Sequence, residues 1–116
     1  MDNSVTLVGT LSHDPLLKRV GSDSDAISCR FTLGIERKWK DRRSGEDKAF
    51  RTFHEVICYR ALATNVSASC RQGDAVVVIG RLNTRKISTG DGLNTVTEIT
   101  ADHVALNLSP GPIPID

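Results

Sequence analysis

The sequence predicts an all-β domain: five strands closed into a small Greek-key barrel, with one short helix between strands 3 and 4. Three observations carry that expectation. Apolar and polar residues alternate at period two through most of the chain, the spacing of half-buried strands. A single stretch repeats at helical spacing instead. Clusters of Gly, Ser, Asp and Asn separate the alternating runs, as turns between short strands require.

The first strand is SVTLVGTL, where Val5, Leu7 and Leu11 share a face and Gly9 interrupts the row. VGSDSD punctuates the chain before the second strand, AISCRFTLGIE. There Ile27, Cys29, Phe31, Leu33 and Ile35 line one face, so Phe31 is assigned to the core; Ser28, Arg30, Thr32, Gly34 and Glu36 line the other. Gly34 inside this run predicts a bulge or bend. RRSGED reads as a hairpin tip leading to the third strand, RTFHEVICYR. In it Phe53, Glu55, Ile57 and Tyr59 point one way, and His54, Val56, Cys58 and Arg60 the other. The helix is ALATNVSASCRQGD, with Leu62, Val66 and Cys70 four residues apart and Gly73 in the place of a left-handed C-terminal cap. Its Thr, Asn and Ser are mediocre helix formers, so packing must hold it. Strand 4 is AVVVIGRLNTRKI, where Arg81, Asn83, Arg85 and Ile87 continue the face begun by Val77 and Ile79. After TGDGLN, TVTEITADHVALNL completes the set. The order β-β-β-α-β-β matches an OB-fold barrel. Residues 1–108 form that domain, and SPGPIPID, with three prolines in eight residues, predicts a disordered tail over 109–116.

Composition narrows the function. A formal net charge of +1 conceals an asymmetry: residues 30–60 carry +4 and residues 61–86 carry +3, while the two ends carry −2 and −4. A basic middle between acidic ends fits a surface for a polyanion. Cys29, Cys58 and Cys70 form no CxxC pair and show no ligand spacing to His13, His54 or His103, so buried reduced thiols are expected and no metal. Neither a leader pattern nor an 18-residue apolar run occurs, which makes a reducing cytoplasm the expected compartment. Catalysis is not expected either. The chain has no phosphate-binding Gly-rich loop, no HExxH and no nucleophile–His–carboxylate set, and adjacent His54 and Glu55 point to opposite faces of a strand.

The basic stretch ERKWKDRRSGEDKAF holds the one tryptophan. Trp39 has the parity of Phe31 and Ile35, so a straight strand would bury it among the core residues. The strand must bend, twist strongly or end before residue 39. Phe50 falls in this stretch without a strand assignment and is read as loop packing. Phe53 and Tyr59, six residues apart, lie roughly 20 Å from one another on one face. A sheet bearing rings and guanidinium groups suits stacked bases and phosphates.

NSVTLVGTLSHDP, FTLGIERKWKDRRSGE, TFHEVICYRALATNV, RQGDAVVVIGRLNTRK and TVTEITADHV, in that order, resemble a bacterial single-stranded DNA-binding protein (SSB) over residues 3–106. The resemblance implies an OB fold assembled as a homotetramer, which protects single-stranded DNA during replication, recombination or repair without sequence preference, in the cytoplasm at the nucleoid. It places base-stacking aromatics at Trp39, Phe53 and Tyr59, and phosphate contacts at Arg85 and Lys86. Lys38, Lys40, Arg71 and Arg81 join the DNA-binding set as basic residues of the same stretches, and His54 is placed at a subunit interface. Two departures are visible. Ile87 stands where many members of the family carry another tryptophan. The sequence closes on PIPID rather than an acidic tip, so recruitment of replication and repair proteins through such a tip is not expected. An alternative reading is a protein-interaction OB module of a replication-restart primosome that touches DNA only weakly.

Overall fold

In the computed structural model, residues 3–19 and 26–114 are described; the turn expected at VGSDSD lies outside them. Six strands and a helix follow one another: β1 (Ser4–Leu11), β2 (Leu16–Arg19), β3 (Ile27–Lys40), β4 (Asp47–Tyr59), α1 (Arg60–Ser69), β5 (Ala75–Thr89) and β6 (Gly92–Leu106). The sheet order is β1-β5-β6-β4-β3-β2, and β1 pairs again with β3 at Thr10–Gly34 and Leu11–Leu33. The five long strands thereby form a ring, with α1 between β4 and β5 as the sequence predicts. The sixth strand is β2, which pairs antiparallel with β3 outside the ring. Its four residues LLKR are all exposed, so burial imposes no alternation on them and period two has nothing to detect.

The ring closes over Phe31, Leu11, Leu33, Val56, Val76, Val78, Cys29 and Cys58, all less than 2% or so exposed. These are the inward positions of β1, β3, β4 and β5, and the Phe31 assignment holds. From α1, Ala63 and Val66 join the same cluster, followed by Cys70. All three cysteines are free and buried. Loss of hydration pushes each thiol above its ordinary range, Cys58 to about 12.

Two glycine expectations are corrected. Cys70 is extended, at φ −109° and ψ 146°, so α1 stops at Ser69 and Gly73 is not its cap. Gly73 does take left-handed backbone, φ 89°, but it serves the turn into β5, where its N–H donates to the Leu11 carbonyl at 2.9 Å. Gly34 marks no bulge: the β3–β4 register runs through it without a shift. The irregularity lies at Ile79–Gly80 against β6. The glycine that provides proximity is Gly9. A Cβ on Gly9 would collide with the Gly34 carbonyl oxygen, so β1 crosses β3 by backbone contact.

That crossing resolves the parity of Trp39. Beyond it, among the described residues, β3 pairs with β4 alone, and every residue from Glu36 to Lys40 is exposed. The two strands leave the ring as an arm, turning through residues 41–46. There the Asp41 N–H donates to the Glu46 carbonyl at 2.8 Å and the Asp41 carboxylate accepts from the Arg43 N–H at 2.9 Å. The strand carries no bulge at Gly34 and does not end before residue 39; it runs past the core. The distal halves of β5 and β6 form a second arm, also largely exposed.

Candidate nucleic-acid interface

Residues opposite one another across a sheet share its face, so register decides what the site contains. Phe53 lies opposite Gly34, Ile57 opposite Arg30, and Tyr59 opposite Ser28. The short parallel pairing of Ile57 with Thr100 carries this outer face onto β6, and Arg81 lies opposite Thr100 on β5. Asn83, Arg85 and Ile87 then face Glu98, Val96 and Asn94. Phe53, Tyr59, Arg81, Arg85 and Ile87 therefore share one side of the sheet. Phe53 is 59% exposed and Tyr59 43%. The Arg51 guanidinium lies 5.5 Å from the centre of the Phe53 ring, a cation–π distance.

At the centre of this face is a group that the sequence reading missed. Glu98 is only 3% exposed, and its carboxylate accepts from Arg30 Nη1 at 2.8 Å while Arg85 Nε stands at 3.5 Å from its other oxygen. A buried carboxylate is tolerated only when paired and hydrogen-bonded, and here two guanidinium groups share it. Glu98 lies on the outer face of β6, opposite Asn83. Only the parallel β4–β6 pairing, which local alternation does not encode, draws it beneath Arg30. Arg81 is held more loosely, 3.3 Å from Asp102.

The remaining expected residues divide between faces. Lys38 and Lys40 lie opposite Ala49 and Asp47, on the same side of the arm as Phe53. Trp39 lies on the other side, opposite Lys48, and is 48% exposed. Lys86 lies opposite Thr95, on the reverse of the second arm from Arg85. Arg71 is not brought to the sheet face: its guanidinium donates to the Ser67 and Cys70 carbonyls, both at 2.7 Å, at the C-terminal end of α1. Donors there satisfy carbonyls that the helix leaves unpaired. His54 has the inward parity opposite Leu33, is half-buried, and its Nε2 lies 3.0 Å from Thr52 Oγ1.

Phe50 is a correction. It is a residue of β4, not of a loop, and 59% of it is exposed. It lies opposite Arg37 and one diagonal step from Trp39. Arg37, Trp39 and Phe50 line one open cleft, and Trp39 with Lys48 borders another. The alternation F-x-x-F in KAFRTF hides the strand, since Phe50 and Phe53 fall on opposite faces.

Comparison with known proteins places this arrangement. The model of the single-strand binding protein family matches residues 2–107. A single-stranded DNA-binding protein of Mycolicibacterium smegmatis is 35% identical over 109 residues, covering 92% of this chain and 65% of that protein. Single-stranded DNA-binding protein B of Bacillus subtilis is 35% identical over 113 residues, covering 97% of this chain and 95% of that one. Relative to the mycobacterial protein, this chain thus spans about two thirds of the length. Among solved structures, a small single-stranded DNA-binding protein from Streptomyces coelicolor superposes with a TM-score of 0.75 at 30% identity, over 95% of this chain and 98% of its own. A Plasmodium falciparum SSB complex with single-stranded DNA gives a TM-score of 0.78 at 24% identity, over 90% and 94%; this likeness bears on the fold.

Proposed function

The chain belongs to the single-strand binding protein family, and on that premise we propose that it binds single-stranded DNA without sequence preference. The observation that carries the proposal is the exposure of Trp39, Phe53 and Tyr59 on the strands of a ring and its arm, the core being filled without them. Base stacking on such rings contributes about 1–3 kcal/mol per base and does not depend on base identity, because every base has a π face. Phosphates are held by Lys38, Lys40, Arg81, Arg85 and Lys86, joined by Arg30. Arg71, assigned to the same set, stands apart from the sheet face, with its Nη1 on the Ser67 and Cys70 carbonyls. The activity is binding rather than catalysis, its setting the cytoplasm, and residues 109–116 a tail outside the DNA-binding domain.

The test is titration with poly(dT) while Trp39 emission is followed. A base stacked on the indole lowers the emission; an unchanged signal at saturating poly(dT) contradicts the assignment of Trp39. The primosome-module alternative would leave three exposed rings without a role.

The same reading includes a homotetramer, and two features support it. Val8 and Ile79, 51% and 43% exposed, lie one diagonal step apart on the outer face of β1 and β5. Among the described residues no strand pairs with the other edge of residues 5–9 of β1. An open strand edge beside exposed apolar side chains is a template for a second chain; His54, on β4, is assigned to a subunit interface as well.

A further inference from the structure

We infer that Phe50 and Trp39 together form a base-sandwiching site on the reverse side of the β3–β4 arm, away from the Phe53–Tyr59 face. The inference rests on the proposed single-stranded DNA binding and names a site that neither the resemblance nor the sequence reading assigns. Phe50 lies opposite Arg37, Trp39 opposite Lys48, and the two rings are diagonal neighbours across the pair. Residues so placed stand about 7–8 Å apart along the sheet, within reach of aromatic side chains. A base stacked between two rings needs two intervals of about 3.4 Å, which large side chains rising from positions so spaced can reach across. Among the described residues no ring contact joins Trp39 to Phe50, and the space at them is an open cleft shared with Arg37.

Charge selects the occupant. Residues 36–51 carry seven basic and four acidic side chains, and Arg37 and Lys48 flank the two rings on their own face. Lys48 also lies 3.3 Å from Glu46, a carboxylate that competes with a phosphate for it, so Arg37 is taken as the phosphate partner. An aromatic pair bordered by cations suits a base with its phosphate. A neutral apolar segment of another protein would leave Arg37 covered and without a counter-charge. The arm thus presents DNA with platforms on both sides, Phe53 on one and the Trp39–Phe50 pair on the other, and a strand crossing the arm's edge meets both.

The experiment measures dT-oligomer affinity for the unaltered chain and for F50A, F50L and F50Y. It is paired with photocrosslinking of the unaltered chain to a dT oligomer containing 5-iododeoxyuridine. Because Phe50 is exposed, the substitutions leave the core intact, and thermal unfolding of each variant verifies this. F50A and F50L are expected to weaken binding about fivefold or more, F50Y to restore it, and crosslinks to map to Phe50 as well as Trp39. If the unaltered chain binds but F50A and F50L match it within about twofold, the sandwich is overturned and the binding function stands. An F50L that binds like the unaltered chain while F50A does not overturns stacking in favour of simple apolar contact. Crosslinks to Trp39 without Phe50 also overturn it. If the unaltered chain does not bind dT at all, the functional reading itself fails.

Discussion

Glu98 is the residue on which the binding face depends most. A carboxylate 3% exposed holds Arg30 at 2.8 Å and keeps Arg85 within 3.5 Å, so two cations that would repel one another are fixed side by side. Replacing it leaves both guanidinium groups without their shared counter-charge. Both remain partly in water, at 39% and 47% exposure, so the loss falls below that of a fully buried pair. Glu98→Ala is expected to lower stability by about 1–2 kcal/mol, and Tm by roughly 5–10 °C, measured by thermal unfolding. An unchanged Tm would remove Glu98 from its structural role. This residue also shows where sequence reading stops. Phe31, Cys29 and Cys58 were legible because alternation reports the inward face directly. Glu98 was not, because its burial comes from a strand more than forty residues away in sequence.

At the scale of elements, the crossing of β1 over β3 separates a ring from its arm. Alternation located both strands and their faces, but it could not distinguish the stretch of β3 over the core from the stretch beyond it. Trp39 kept the core parity and lost the core. Gly9 permits the crossing, since a side chain there would meet the Gly34 backbone as well as Leu33 and Ile35. Gly9→Val is expected to destabilise the chain by about 2–3 kcal/mol and to loosen the ring where β1 meets β3. Denaturant unfolding with amide exchange at Thr10, Leu11 and Leu33 measures both effects; a variant as stable as the parent would show that the strands can separate at little cost. The short β2 and the true end of α1 escaped the sequence reading for a shared reason. Neither a fully exposed four-residue strand nor a helix ending at an extended Cys70 leaves a periodic signal.

For the whole molecule, the open edge of β1 and the outer pair Val8–Ile79 predict assembly. Light scattering on the free chain is expected to give four times the mass of 12.6 kDa, and a monomeric mass would contradict the proposed tetramer. The proposed assembly would multiply the basic arms around one particle, each presenting rings on both sides. Polyanion binding of this kind releases counterions, which makes the affinity for DNA depend on salt in a predictable way. The measurement that tests the central claim most directly is the poly(dT) titration of Trp39 emission repeated over a range of salt concentrations. With about five phosphates neutralised per subunit, log K should fall against log salt with a slope near −3.5, so a fourfold rise in salt weakens binding roughly a hundredfold. An affinity that does not change with salt, or a tryptophan signal that does not respond to poly(dT) at any salt, would contradict it.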